Sequence, residues 1–186
     1  MTRKILVSVA TVLVLVLAMA ASASAQNTPK ADLSLSYSAL NDAELDETFP
    51  VGWAASLSGY LTPWLSVVGE AGGHYKTFSE SGVDLEMKVH TLLGGVRLGA
   101  RGSRAMVFAQ VLAGGTQVTA DLSIAGFSES ESDQFFTIQP GVGVDLMLSS
   151  NVGLRLQADY RSIQDGNEWF AQYRGAAGLV FSFGGR

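Results

Sequence analysis

Residues 152–161 read VGLRLQADYR, and this short stretch decides the fold. Leu154 and Leu156 are apolar, whereas Arg155 and Gln157 beside them are polar. Alternation with a period of two residues indicates a β-strand with one apolar and one polar face. The same alternation recurs in the preceding stretch GVGVDLML and, more loosely, over most of the chain beyond Lys30.

This alternation predicts eight strands, at residues 31–40, 51–62, 64–76, 87–101, 104–120, 135–148, 152–163 and 169–183. Tight turns predicted at 62–63, 102–103 and 149–151 alternate with longer polar connections predicted at 41–50, 77–86, 121–134 and 164–168. Short turns on one side and longer loops on the other are typical of outer-membrane barrels. The pattern therefore predicts an all-β fold, an eight-stranded antiparallel up-and-down transmembrane β-barrel.

Two-faced strands also occur in a secreted, soluble lipocalin-like barrel that binds a small apolar ligand, with the apolar face inward. The placement of acids favours the membrane instead, since thirteen of the seventeen Asp and Glu residues lie in or beside the four long connections. The polar face also carries many Gly, Ser, Thr and Gln residues, whose size suits the crowded lumen of an eight-stranded barrel.

Aromatic residues on the apolar face form two groups at opposite strand ends, with an aliphatic band between them. Such belts mark the two interfaces of a bilayer. The predicted interfacial aromatics are Tyr37, Trp53, Tyr75, Phe136, Tyr160, Trp169 and Tyr173 near the long loops, and Phe181 and Phe183 near the tight turns.

The start of the chain predicts export. Arg3 and Lys4 precede an apolar run over residues 5–21, and the small residues Ala23 and Ala25 follow. This order is typical of a secretory signal peptide, so residues 1–25 are expected to be removed before Gln26. An uncleaved membrane anchor is the alternative. Residues 26–186 then form one barrel domain of single-domain size.

Composition narrows the function classes. The 186-residue chain has no Cys and a formal net charge of −5. An acidic domain is a poor nucleic-acid binder, and the lack of Cys rules out a disulfide and an N-terminal lipid-modified cysteine. We expect no cofactor, no metal and no nucleic acid.

The polar face carries charges that we expect to form an ion-pair network in the lumen. A turn at 149–151 places Asp145 opposite Arg155, and a turn spanning residues 164–169 places Asp159 opposite Arg174. Charges in a narrow barrel lose hydration and need partners. The predicted network comprises Glu70, Arg97, Asp145, Arg155, Asp159, Arg161 and Arg174.

Two further chemistries have weak support. His74 and His90 flank the second long connection and could bind a metal ion with Glu70 or Glu86, provided that both rings share a face. The face of His90 is ambiguous, because a bulge near Gly94 and Gly95 would switch the alternation. A lipid-modifying hydrolase needs Ser, His and an acid at the membrane interface, and no outward Ser lies beside either His.

The chain resembles the outer-membrane β-barrel domain family, the small OmpX-like and OmpA-transmembrane-domain-like barrels. The resemblance rests on the eight alternating segments, the loop asymmetry and a last strand reading GAAGLVFSF at residues 175–183. It implies a place among the porin-like families of the Gram-negative cell envelope. It also implies contact with outer-membrane lipid and recognition by the barrel-assembly machinery, although residues 184–186 follow the aromatic that normally ends the last strand.

These observations together predict a non-enzymatic outer-membrane barrel with a structural or surface-interaction role and a plugged, polar lumen. The soluble lipocalin-like barrel and the outer-membrane lipid-modifying enzyme remain the alternatives. The family hosts several functions, so its fold does not determine the activity.

Overall fold

A computed structural model describes residues 29–42, 47–80, 83–124 and 127–184 of the chain. The expected signal peptide at residues 1–25 lies outside the described residues. The strands are β1 Ala31–Asp42, β2 Glu47–Phe49, β3 Val51–Tyr60, β4 Leu65–Glu80, β5 Val83–Arg101, β6 Ala105–Ile124, β7 Phe127–Met147, β8 Val152–Asp165 and β9 Glu168–Phe183.

Eight of these strands close into an antiparallel barrel. β1 pairs with β3, each later strand pairs with the next, and β9 returns to β1 over a register from Ala31↔Phe183 to Asp42↔Gln172. β2 is a short addition that pairs with β1 through Leu40↔Phe49. The predicted eight-stranded fold is confirmed. In the described part of the chain there is no helix with the length and apolar character needed to span a membrane.

The faces of the barrel are polar inside and apolar outside. Along β8, Leu156 is 43% exposed on the outer surface, while its neighbours Arg155 and Gln157 are buried in the lumen. This is the reverse of a lipocalin, whose apolar face lines the interior. The soluble-barrel alternative is therefore wrong.

The β4–β5 and β5–β6 registers run without interruption from Leu65↔Leu98 and Val83↔Ile124, so the bulge considered near Gly94 and Gly95 is absent. A Cβ on Gly95 would lie 2.0 Å from the Val111 carbonyl oxygen. Glycine therefore permits a close approach of the two strands, which accommodates their curvature without an inserted residue.

Two of the predicted long loops are largely strand. β4 and β5 continue to Glu80↔Val83, and β6 and β7 continue to Ile124↔Phe127, through most of the segments predicted as loops at 77–86 and 121–134. Residues 83–89 and 118–124 do alternate apolar and polar side chains, which could have indicated these extensions. Residues 128–134 have no apolar face, so their hydropathy does not indicate a strand. The backbone ladder nevertheless continues, because each strand has a partner on at least one side.

Candidate functional sites in the lumen and above the barrel

The part of the lumen near the tight turns contains an ion pair between directly opposed residues. Arg155 Nε donates to Asp145 Oδ1 and Arg155 Nη2 donates to Asp145 Oδ2, both at 2.7 Å. Arg155 Nη1 also lies 3.1 Å from Ser34 Oγ and 3.3 Å from Ser56 Oγ. Because these residues are buried, the bidentate geometry and the extra hydrogen bonds compensate for lost hydration.

A second ion cluster lies on β4, β8 and β9. Arg174 Nη2 lies 2.8 Å from Asp159 Oδ2 and 2.8 Å from Glu70 Oε1, so one guanidinium serves two carboxylates. Gln139 Nε2 donates to Glu70 Oε1 at 2.9 Å, and Gln157 Nε2 donates to Asp159 at 3.0 Å. The structure thus brings together three of the seven residues of the predicted network here and another two around Asp145.

Arg97 and Arg161, the remaining members, bind neutral groups. Both are buried, and Arg97 donates to Gln110 Oε1 while its guanidinium lies 4.2 Å from the centre of the Phe108 ring. Arg161 Nε donates to Gln139 Oε1 at 3.0 Å. Neither arginine has a carboxylate partner among the described residues.

A third charged group was missed by sequence reasoning. Asp32 accepts a hydrogen bond from the Tyr60 hydroxyl, and Arg101 Nη2 lies 3.1 Å from the same hydroxyl and 3.9 Å from Asp32 Oδ2. Arg101 shares the parity of Arg97 on β5, so the alternation could have placed it in the lumen. Its pairing with Asp32 depends on a contact across the barrel that the sequence does not indicate.

An apolar cluster lies at the end of the lumen where β1 pairs with β2, on the side of the long loops. Leu40, Phe49 and Val89 are buried together, with Met87 and Val118 packed against them. Phe49 is carried there by β2, which belongs to the segment predicted as a loop, and this explains why the cluster was not expected. We call these five residues the apolar cap.

The two histidines face opposite sides of the barrel wall. His74 is buried in the lumen and its Nε2 lies 2.9 Å from Ser38 Oγ, whereas His90 is on the outer face with Nε2 3.2 Å from the Tyr75 hydroxyl. They cannot share a metal ion. Across the described residues, no group of three His, Cys, Asp or Glu side chains is placed to hold one.

The Ser38–His74 pair does not form a hydrolase site. Both side chains are 0% exposed, so lipid cannot reach them. His74 Nδ1 has no hydrogen-bond partner in the described structure, whereas a triad requires an acid at that nitrogen.

All nine predicted interfacial aromatics carry the parity of the outer face. Two pairs make edge-to-face ring contacts with centroids 5.6 Å apart, Tyr75 with His90 and Tyr160 with Tyr173. Trp64, which was not predicted, is also exposed on the outside, beside the tight turn between β3 and β4. Its position next to Pro63, in a predicted tight turn, could have indicated that it joins the aromatic belt near the tight turns.

Strands β4 to β7 continue well beyond the aromatic belt near the long loops, which we call the upper aromatic belt. On β7, pairing with β8 ends at Phe136↔Gln164, yet β7 and β6 remain paired to Phe127↔Ile124. Nine further residues at about 3.3 Å each carry β7 roughly 30 Å past the belt. We call the described residues 76–80, 83–88, 119–124 and 127–135 the protruding sheet. Within it, no described strand pairs with the outer edge of residues 127–135.

The protruding sheet is acidic. Residues 76–88 and 119–135 hold seven acidic and two basic side chains. Glu131 and Asp133 are exposed, while Lys88 lies 2.9 Å from Asp121 and 3.2 Å from Glu86. Both basic residues, Lys76 and Lys88, lie at the base of the sheet beside the aromatic belt, and Lys88 is already paired, so the surface above them is negative.

The model of the outer membrane protein beta-barrel domain matches residues 8–183 of the chain. No curated protein matches it in sequence. Among solved structures, the attachment invasion locus protein Ail of Yersinia pestis is 17% identical with a TM-score of 0.53, and the match covers 81% of this chain and 96% of that chain. Neisserial surface protein A is 12% identical with a TM-score of 0.60, covering 82% and 96%.

The N-terminal β-barrel domain of Pseudomonas aeruginosa OprF is 11% identical with a TM-score of 0.50, covering 85% of this chain and 100% of that domain. At these identities the likeness shows the fold alone. Together with the family match, it identifies a small barrel of the outer membrane.

Proposed function

Because the chain belongs to the outer membrane protein beta-barrel domain family, we propose that it is a non-enzymatic outer-membrane protein whose role is surface interaction. The protruding sheet carries the interaction, and the barrel anchors it. The observation behind this proposal is strand length. β5, β6 and β7 have 19, 20 and 21 residues, whereas a transmembrane strand needs about 9–11.

The chemistry of the sheet favours a cationic, extended partner. A free strand edge can accept another strand through main-chain hydrogen bonds, and the side chains beside it select the sequence. Beside the edge of β7, Glu131 and Asp133 would pair with Lys or Arg of such a segment. Ail has been solved with the heparin analogue sucrose octasulfate, a polyanion, whereas the acidic sheet here favours the opposite charge.

The proposal includes export and insertion. Residues 1–25 act as the signal peptide, the barrel-assembly machinery inserts residues 26–186, and outer-membrane lipid surrounds the aliphatic band of the resulting Gram-negative envelope protein. N-terminal sequencing of the membrane-embedded protein should begin at Gln26. A start at Met1 would favour the uncleaved anchor.

The topology can be tested with introduced thiols, because the natural chain has no Cys. Glu131→Cys should react with a membrane-impermeant maleimide on intact cells, since residue 131 is exposed in the protruding sheet. The matched control is Ser150→Cys in the exposed tight turn between β7 and β8, which should react only after the outer membrane is broken. The reverse labelling order would invert the topology and remove the proposed role.

The binding role can be tested on the same sheet. A peptide of alternating Lys and Val should bind the protein in nanodiscs, and Glu131→Lys combined with Asp133→Lys should weaken binding at least about tenfold through charge repulsion. The control is Asp165→Lys, which changes an exposed acid at the end of β8 and should change binding little. Equal effects of the two changes would count against the protruding sheet as the binding surface.

A further inference from the structure

The lumen holds more cations than anions. Within the described ranges, five arginines and four carboxylates occupy it: Arg97, Arg101, Arg155, Arg161 and Arg174, with Asp32, Glu70, Asp145 and Asp159. All four carboxylates form ion pairs with just three of these arginines, namely Arg101, Arg155 and Arg174. Two guanidinium groups, those of Arg97 and Arg161, remain without a counterion in contact.

The two unpaired arginines differ in how their N–H groups are used. Arg97 donates from Nε and Nη2 to Gln110 Oε1 and from Nη1 to Ser58 Oγ, and its guanidinium lies against the Phe108 ring. Arg161 is 0% exposed, and neither Nη1 nor Nη2 finds an acceptor among the described residues. Burying a cation with unused N–H donors costs free energy. A negatively charged acceptor next to Nη1 and Nη2 of Arg161 would remove this cost.

Other unused polar atoms lie around the same part of the lumen. Arg174 Nη1, Thr91 Oγ1 and His74 Nδ1 are buried and have no partner in the described structure. A Cβ on Gly72 would lie 3.1 Å from Thr91 Oγ1, 3.2 Å from the Trp53 carbonyl oxygen and 3.9 Å from Arg174 Nη1, so these three atoms border the space left by the glycine. His74 occupies the next inward position along β4.

The cations of this region repel one another. Gln139 connects the two arginines, since Arg161 Nε donates to Gln139 Oε1 and Gln139 Nε2 donates to Glu70 Oε1, the atom that Arg174 Nη2 also contacts. Opposing charge comes from Glu70 and Asp159, but both are already in contact with Arg174 Nη2. The distal nitrogens of Arg161 therefore have no carboxylate in contact among the described residues.

We propose that the lumen contains a binding site for a small monovalent anion of halide size, between the distal nitrogens of Arg161 and Arg174 Nη1, above Gly72. Thr91 Oγ1 donates the next hydrogen bond, and His74 Nδ1 borders the site. Each of these donors comes from a different strand, so the bound anion links β4, β5, β8 and β9. The site is independent of the protruding sheet and of the surface role proposed for it.

The residues around the site limit the charge and the size of the anion that can bind there. Glu70 and Asp159 lie close to the site and would repel a divalent anion such as sulfate more strongly than a monovalent one. The space that Gly72 leaves is small, which suits a single atom better than a large organic anion. A halide also accepts hydrogen bonds from any direction and can satisfy several N–H groups at once.

Bromide provides a direct probe in the wild-type protein. Crystals of the folded protein grown in sodium bromide should show an anomalous peak within hydrogen-bond distance of Arg161 Nη1 or Nη2. A density map that shows only water at this place, without an anomalous signal, would overturn the proposal. This measurement does not depend on whether any variant folds.

Two arginine variants test whether bromide binds at Arg161 in particular or next to any buried arginine. Arg161→Met should lose the bromide peak, whereas Arg97→Met should keep it, because Arg97 is equally buried but its donors are already engaged. Thr91→Ala is a milder change that should weaken binding severalfold and preserve the fold. Retention of the peak in Arg161→Met would contradict the assigned ligands.

The same site predicts anion-dependent stability. A ligand that binds only the folded state raises stability with its concentration. The urea midpoint of the wild-type protein in lipid vesicles should rise as sodium gluconate is replaced by sodium chloride at constant ionic strength. The midpoint of Arg161→Met should not change. A flat response of the wild type, or an equal rise in both proteins, would refute a specific site.

Discussion

Arg155 illustrates, at the residue scale, how one buried side chain can connect distant strands. It pairs with Asp145 on β7 and reaches Ser34 on β1 and Ser56 on β3 from its own position on β8. Its contacts thus cross the lumen as well as the strand boundary. Charges held this way are sensitive to the loss of one partner, because the other is left buried and uncompensated.

Removing one member of this pair should therefore be worse than removing both. Asp145→Ala or Arg155→Ala alone should cost about 3–5 kcal/mol of unfolding free energy, and the double variant should cost clearly less than the sum. Urea unfolding in lipid vesicles measures all four proteins of the cycle. Purely additive effects would mean that the two side chains do not stabilise each other.

Some lumen contacts follow from the sequence and others do not. The opposition of Asp145 and Arg155 follows from a tight turn at 149–151, because the turn sets the register of neighbouring strands. The contact of Arg174 with Glu70 joins β9 to β4, which are not neighbours in the sheet. Such contacts depend on strand stagger around the closed barrel, which alternation does not determine.

At the scale of single strands, β8 shows how sharply the two environments alternate. Leu156 lies on the outer face, paired across the strands with Val144 and Ala177, while Gln157 points inward toward Glu70 and Asp159. One step along the chain thus exchanges lipid for a polar interior in which two carboxylates lie near residue 157. A charge should be tolerated very differently at the two positions.

Leu156→Arg should destabilise the protein by about 2–4 kcal/mol, because a guanidinium near the middle of the lipid face loses its hydration. Gln157→Arg is the matched control and should cost less, since Glu70 and Asp159 lie within reach of residue 157. The comparison is made by urea unfolding of both variants in vesicles. Equal losses, or the reverse ranking, would contradict the assigned faces.

Sequence patterns predicted the membrane strands better than their extensions. The eight predicted segments each coincide with a barrel strand, because lipid on one side and lumen on the other impose a two-residue period. Above the upper aromatic belt both faces of a strand meet water, and the residues around Glu131 have no apolar side. Hydropathy therefore indicated a loop at 121–134 where β6 and β7 continue as a paired ribbon.

For the whole molecule, the filled lumen has a consequence for transport. Among the described residues, five arginines and four carboxylates crowd the interior together with Phe108, and the apolar cap lies toward the end where β2 joins β1. An eight-stranded barrel has room for its inward side chains and little else. We therefore expect no general porin activity.

Planar-bilayer recordings of the purified protein should show no steady open-pore current. The variant with both Asp145→Ala and Arg155→Ala removes side-chain volume from the lumen and should open more often, which tests whether side chains form the plug. Large, steady currents from the wild-type protein would contradict a closed interior.

The seam between β1 and β9 has a kinetic meaning. Every other strand pair of the ring forms between segments that are close in the sequence, but Leu35 and Leu179 must meet across most of the chain. Contacts of such long sequence separation close slowly. Until they form, β1 and β9 each expose a row of unpaired backbone groups that can join strands of other chains. The closed ring is thus also a safeguard against aggregation, and it takes effect only when β9 reaches β1.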